Sequence, residues 1–230
     1  MIIARVLRPA ILLALATALL AGLTTTPASA AAAHGHRSPG RVVNTTLYDG
    51  IEALPIAPED RTGYVRTAFR HWIDADKDGC NTRKEVIIAE AVEAPTVGPG
   101  CSLTGGRWYS AYDGVTVTDS GALDVDHLVP LAEAWDSGAS AWSPQEREAY
   151  ANDLGEDRDL IAVTARSNRQ KADKDVTDWL PMPSYVCTYI TDWTVDKTRW
   201  GLTVDAAEKD RLHQLAAGCA NEPITLELAR

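Results

Sequence analysis

Two stretches decide the fold. Residues 124–131 read Asp124-Val125-Asp126-His127-Leu128-Val129-Pro130-Leu131, and residues 159–171 read Asp159-Leu160-Ile161-Ala162-Val163-Thr164-Ala165-Arg166-Ser167-Asn168-Arg169-Gln170-Lys171. Leu160 to Thr164 is a short apolar run of strand length, and Ser167 to Leu180 is a polar helical stretch stopped by Pro181. Leu123 to Leu131 reads as a second short strand that breaks near Pro130. Strand, loop, strand and helix then gather Asp126, His127, Asn168 and Lys171 around one point. A carboxylate is a hard ligand suited to Mg²⁺, and the amide oxygen of Asn168 offers a second ligand. A neutral imidazole can take a proton from water. Lys171 shares the helix face of Asn168, where a cation can meet phosphate. Arg166, Arg169 and Lys174 add a basic cluster. Neighbours in a regular strand point to opposite faces, so Asp126 and His127 share a site only where the strand twists or bulges at its end.

Outward from this centre the chain is a mixture of helices and strands. Tyr64, Val65, Ala68, Phe69 and Trp72 recur at helical spacing within residues 60–73, and Val86, Ile87, Ala89 and Ala91 do so within 82–94. Residues 95–106 are rich in turn formers, and 108–117 suggest a hairpin around Asp113-Gly114. Residues 144–154 read as a helix capped by Ser143, and 204–217 as another. The fold class is α+β, with helices flanking a small antiparallel sheet.

Composition narrows the function classes. The 230 residues are 45% apolar and 23% charged with a net charge of −10, which excludes a disordered chain, a polytopic membrane protein and a basic nucleic-acid-coating protein. Arg5 and Arg8, the apolar run Pro9 to Leu23, and Ala28-Ser29-Ala30 make residues 1–30 a secretory signal peptide. The apolar run is short of the roughly 20 residues a membrane span needs, so no membrane association is expected after cleavage. Residues 31–45 lack periodicity and read as a flexible leader, leaving 46–230 as one domain. A secreted chain with Cys80, Cys101, Cys187 and Cys219 points to two disulfides. Three pairings are open. Cys80–Cys101 and Cys187–Cys219 are favoured because each closes a local loop. A zinc site lacks any Cys-x-x-Cys or Cys-x-x-His pair.

Asp74-Ala75-Asp76-Lys77-Asp78-Gly79, with Glu85 further on, matches an EF-hand loop and suggests a structural Ca²⁺ site. Its rival is an acidic loop with capping aspartates. Asn81 stands where such loops usually have an aliphatic residue. His71 and His213 read as surface or packed histidines. Trp72, Trp135, Trp179 and Trp200 read as core. Asp173, Asp175 and Asp178 form an acidic face that would make nucleic-acid binding weak and salt-sensitive. Tyr112-Asp113-Gly114 reads as a turn without chemistry. No serine or cysteine nucleophile motif is present.

The two quoted stretches resemble the ββα-metal (HNH, His-Me finger) nucleases. Within that group the closer resemblance is to secreted HNH endonuclease family proteins, related to the C-terminal domain of GmrSD-type restriction enzymes. The catalytic likeness covers about 108–180, and a weaker likeness runs from Asp78-Gly79-Cys80-Asn81-Thr82-Arg83 to Trp193. The resemblance implies a ββα-metal core, with His127 as the general base, Asp126 and Asn168 as ligands of one divalent metal such as Mg²⁺, and Lys171 on phosphate. It implies hydrolysis of nucleic acid, DNA before RNA, with 5′-phosphate and 3′-hydroxyl ends. The rate would rise with pH through about 6.5, the ordinary imidazole value. One position departs. Asp159 stands nine residues before Asn168, where the pattern carries an Asn that ties down the loop of the base. Aspartate accepts the same hydrogen bonds but has no amide proton. The acidic charge and Asp159 leave a second reading: a non-catalytic secreted Ca²⁺-binding or interaction module on a degenerate nuclease fold. Retention of Asp126, His127, Asn168 and Lys171 favours the enzyme. The sequence names no protein partner.

Overall fold

The computed structural model describes residues 39–230. The expected signal peptide, His34, His36 and most of the expected leader lie outside the described residues. The domain opens with β1 (Val42–Thr46), which pairs antiparallel with β8 (Pro223–Glu227) at the other end of the chain. The strand takes in residues 42–45, which the sequence reading gave to the leader. Alternation in β8 buries Ile224 and Leu226, and this long-range pairing carries no local signal. Thr46 caps α1 (Leu47–Ala53) by accepting from Asp49 N–H.

The expected helix over 60–73 is absent. Only a single 3₁₀ turn, Arg66–Ala68, forms. Gly63 sits at φ 76°, a conformation that interrupts a helix. The apolar residues are used for aromatic packing instead. Tyr64 and Phe69 lie edge-on to Trp135, and Phe69 to Tyr150. α2 (Thr82–Ala89) is capped by Asn81 and ends before Ala94, because Glu90 turns inward to accept Ala162 N–H at 2.9 Å.

β2 (Thr96–Gly98) and β3 (Ser102–Thr104) form one hairpin, and β4 (Trp108–Ser110) and β5 (Val115–Val117) the expected one around Asp113-Gly114. β6 (Leu123–His127) pairs antiparallel with β7 (Leu160–Thr164), with Leu123 opposite Thr164 and His127 opposite Leu160. β6 stops at His127 rather than Leu131, since Pro130 opens α3 (Leu131–Asp136). α4 (Pro144–Ala151) carries a full capping box between Ser143 and Glu146.

α5 (Ala165–Lys171) starts two residues earlier than expected and ends at Lys171, well short of Leu180. Ala172 takes φ 51°, and Asp175 then accepts from Thr177 N–H, so the acidic stretch is spent in turns. β6, β7 and α5 make a ββα unit. The chain is α+β, and its described strands form four two-stranded sheets. α6 (Val186–Trp200) is the longest helix described and was not anticipated. Its buried face includes Asp192, Asp196, Lys197 and Arg199, which hide the apolar period. α7 (Ala206–Ala216) matches its expectation closely. The disulfides are Cys80–Cys101 and Cys187–Cys219. Among the described residues no helix is long and apolar enough to cross a membrane.

Candidate active site

The ββα unit places its polar side chains at one strand end. Asp126 and His127 line a pocket of about 300 Å³ together with Asn168, Arg66 and Arg169. The register of β6 is continuous, so no bulge brings Asp126 and His127 together. His127 is the last residue of the strand, and the pocket opens at that end.

His127 is 5% exposed. Its Nε2 lies 3.0 Å from Ala151 O. A carbonyl only accepts, so Nε2 carries the proton and Nδ1 keeps its lone pair. The ring is held between Trp72, stacked at 5.1 Å and 27°, and Tyr150, at 6.4 Å and 22°. Trp72 adopts φ 62°, which a bulky residue seldom takes. Burial drives the His127 pKa down to about 3, and the nearby cations Arg66 and Lys171 act in the same direction. With its pKa held down in this way the imidazole is neutral in the physiological range.

Asp126 accepts from Lys171 Nζ at 2.8 Å and from the Tyr112 hydroxyl at 2.7 Å, both on Oδ2. Burial raises its pKa despite the opposing ammonium of Lys171. Lys171 is 0% exposed and also donates to His127 O at 3.0 Å. The sequence reading put it on phosphate, but it is closed to solvent and so not open to a phosphate. It orients Asp126 and the strand end. Gln170 and Ala172 on either side are exposed, so at this end of α5 only the Lys171 side chain turns inward to the site.

Asn168 donates from Nδ2 to Asp124 Oδ2 at 3.3 Å, which leaves its Oδ1 as an acceptor. Arg169 is exposed at the pocket rim, 3.8 Å from the same Asp124 oxygen. Arg166 is exposed and not among the residues lining the pocket. Asp159 lies behind the site. Its main-chain oxygen accepts Leu128 N–H at 3.0 Å, while its carboxylate meets Trp200 Nε1 at 3.2 Å and Arg199 Nε at 3.3 Å. Burial and the neighbouring Asp196 and Asp153 push the Asp159 carboxyl well up. The backbone of residue 159, rather than its side chain, thus meets the loop after His127.

The sequence reading missed Arg66, Tyr112, Tyr150 and Asp124, and took Trp72 for core. Arg66 fell in a segment read as helix, and Tyr112 in a turn. Neither position carries a local signal, since each joins the site through tertiary folding. His71, read as structural, lies beside the site with its ring 6.2 Å from that of His127, and its Nδ1 donates to Phe69 O at 3.0 Å.

The donor set suits a hard divalent ion. Asp126 Oδ1 and Asn168 Oδ1 are oxygen donors on one pocket, and Mg²⁺ typically binds through one or two carboxylates while keeping several waters. Elsewhere, Asp74, Asp76 and Asp78 bring ligand atoms within 4.8 Å of one another. Gly79 N–H bonds Asp74 and Cys80 N–H bonds Asp78, which shapes the loop. Glu85, in the first turn of α2, is not part of that trio. Its pKa is raised first by burial and then by Asp76, Asp78 and Asp74. Glu59, Glu133 and Glu208 also converge, but Lys197 Nζ already sits 2.7 Å from both Glu133 and Glu208.

The family described as GmrSD restriction endonucleases, C-terminal domain, matches residues 81–215. A protein of Arthroderma benhamiae, named as an uncharacterized secreted protein, is 39% identical over 175 residues, which is 76% of this chain and 83% of that one. No solved structure matches the chain.

Proposed function

The chain belongs to the family of C-terminal domains of GmrSD restriction endonucleases, and from that premise we propose that it is a secreted, metal-dependent endonuclease. It hydrolyses phosphodiester bonds of nucleic acid, DNA before RNA, with His127 as general base. The observation that carries this reading is the tie between His127 Nε2 and Ala151 O. It fixes the tautomer and leaves Nδ1 as the proton acceptor of a residue that lines one pocket with Asp126 and Asn168. The secreted relative and the two disulfides support an extracellular setting.

Each residue has a distinct part. Nδ1 of His127 takes the proton from the attacking water, and Ala151 O steadies the imidazolium that forms. A base with a pKa of about 3 is a weak one. An anionic phosphate placed beside it supplies the opposite charge that raises that value toward working range. Asp126 Oδ1 and Asn168 Oδ1 would hold the ion, with Lys171 and Tyr112 fixing Asp126 and Asp124 fixing Asn168. A bound divalent ion neutralises charge on the phosphate and the leaving oxygen. Arg66 and Arg169 draw phosphate to the rim, against the repulsion of Asp173.

The test is digestion of plasmid and RNA by the oxidised protein with Mg²⁺, Mn²⁺, Ca²⁺ or EDTA. Metal-dependent cleavage abolished by EDTA is expected. Absence of cleavage by folded protein under every metal would return the second reading, a non-catalytic binding module. The convergence of Asp74, Asp76 and Asp78 favours a structural Ca²⁺ within either reading. Stoichiometric Ca²⁺ uptake in equilibrium dialysis is its expected result, and no uptake removes it.

A further inference from the structure

The peptide that follows the base is tied to α6. Asp196 is 0% exposed, and its Oδ2 accepts Val129 N–H at 3.2 Å and faces the Tyr150 hydroxyl at 3.3 Å. That hydroxyl donates to Val129 O at 2.6 Å. The ring of the same Tyr150 lies over His127, and the next residue, Ala151, supplies the carbonyl that fixes Nε2. Three constraints on the imidazole therefore converge on Tyr150 and its neighbour Ala151: the backbone two residues after His127, the ring that faces it, and the carbonyl that accepts the Nε2–H hydrogen bond.

Asp196 does not line the pocket. Its Oδ1 is buried with no hydrogen-bond partner, a costly arrangement for a side chain that only fills space. An apolar residue would fill the volume at lower cost but would leave Val129 N–H without an acceptor. Asp159, at the position where the resemblance implies a loop-locking side chain, points its carboxylate to Trp200 and Arg199 instead.

We infer that Asp196 is a positioning residue: through Val129 and Tyr150 it locks the loop after the base and holds His127 with Nδ1 facing the pocket. The kinetic part of this inference rests on the nuclease reading above. The variants are Asp196→Asn, which keeps an acceptor oxygen, Asp196→Leu, which removes it, and Tyr150→Phe, which keeps the ring and removes the hydroxyl.

Displacement of a catalytic group by about 1 Å can cost about 100-fold, so Asp196→Leu is expected to lose about that much in kcat while KM stays near wild type. Asp196→Asn is expected to retain kcat within about threefold, and Tyr150→Phe to lose about tenfold. A folded Leu variant with wild-type kcat, a loss confined to KM, or an Asn variant as impaired as Leu would each overturn the assignment. If the Leu variant does not fold, Tyr150→Phe decides, and unchanged kcat there overturns it. The ¹⁵N signals of His127 give a readout independent of cleavage. They should report a single Nε2–H tautomer in the wild type and the Asn variant, and a mixture in Leu and Phe. Should the wild type cut no nucleic acid, the nuclease reading fails by itself, and unchanged imidazole signals in Leu and Phe would still refute the role of Asp196.

Discussion

The Nζ of Lys171 lies 2.8 Å from Oδ2 of Asp126 and 3.0 Å from the carbonyl oxygen of His127, wholly out of solvent. One buried ammonium thus serves both residues at the strand end. Removing it leaves the buried Asp126 carboxylate without its charged partner, held only by the Tyr112 hydroxyl. Lys171→Met is expected to destabilise the fold by about 3–5 kcal/mol, the usual cost of breaking a buried pair, read from urea unfolding. A loss below about 1 kcal/mol, the range of a surface pair, would contradict its place in the structure.

His127 should stay uncharged in the free protein well below the ordinary range. With its folded value near 3 and an unfolded value near 6.5, NMR should show no protonation of the ring between pH 5 and 8. A midpoint near 6.5 would mean that the ring is solvated rather than enclosed by Trp72 and Tyr150.

Carboxyls drawn partly out of water give the stability a slope with pH. Glu90 and Asp192 each have pKa values raised to about 7, chiefly by burial, and Asp196 is raised as well. Their contributions are present below the unfolded value near 4 and are lost as pH rises through the folded values. His127 acts oppositely, its contribution being lost as pH falls from 6.5 toward 3. Three carboxyls outweigh one imidazole, so the thermal midpoint should fall between pH 5 and 8. Glu90→Gln should flatten part of that slope, and an unchanged slope would show that Glu90 is ionised in the fold.

Arg66 is the pocket cation that lies outside the residues matched by the family. Arg66→Ala is expected to weaken nucleic-acid binding at every sequence tested and to reduce the salt slope by about one counterion, measured by titration in EDTA. Unaltered affinity and slope would place the phosphate elsewhere.

The legible parts of this protein are those written in contiguous residues. β7 and α7 stand where apolar periodicity puts them, and the two disulfides close the local loops that spacing favours. The ββα unit could be read because Asp126, His127 and Asn168 fall in two short stretches. The walls of the site could not. Trp72, Tyr150 and Ala151 reach His127 by folding from distant positions, and periodicity reports only on neighbours three or four residues apart. α6 was hidden for a related reason. Asp196, Lys197 and Arg199 are buried on its inner face, so its polar residues fall where an amphipathic pattern needs apolar ones. Lys171 shows the remaining difficulty: a lysine near a phosphate-binding motif and a lysine that braces a carboxylate have the same sequence signature.

The central claim is that Nδ1 of His127 activates water for phosphodiester cleavage. The direct measurement compares wild type and His127→Ala on plasmid DNA and RNA with Mg²⁺ or Mn²⁺, both proteins oxidised and shown to be folded. Wild-type cleavage that EDTA abolishes and the variant lacks, with a loss of at least about 100-fold, is the predicted result. Equal cleavage by the two proteins would contradict it.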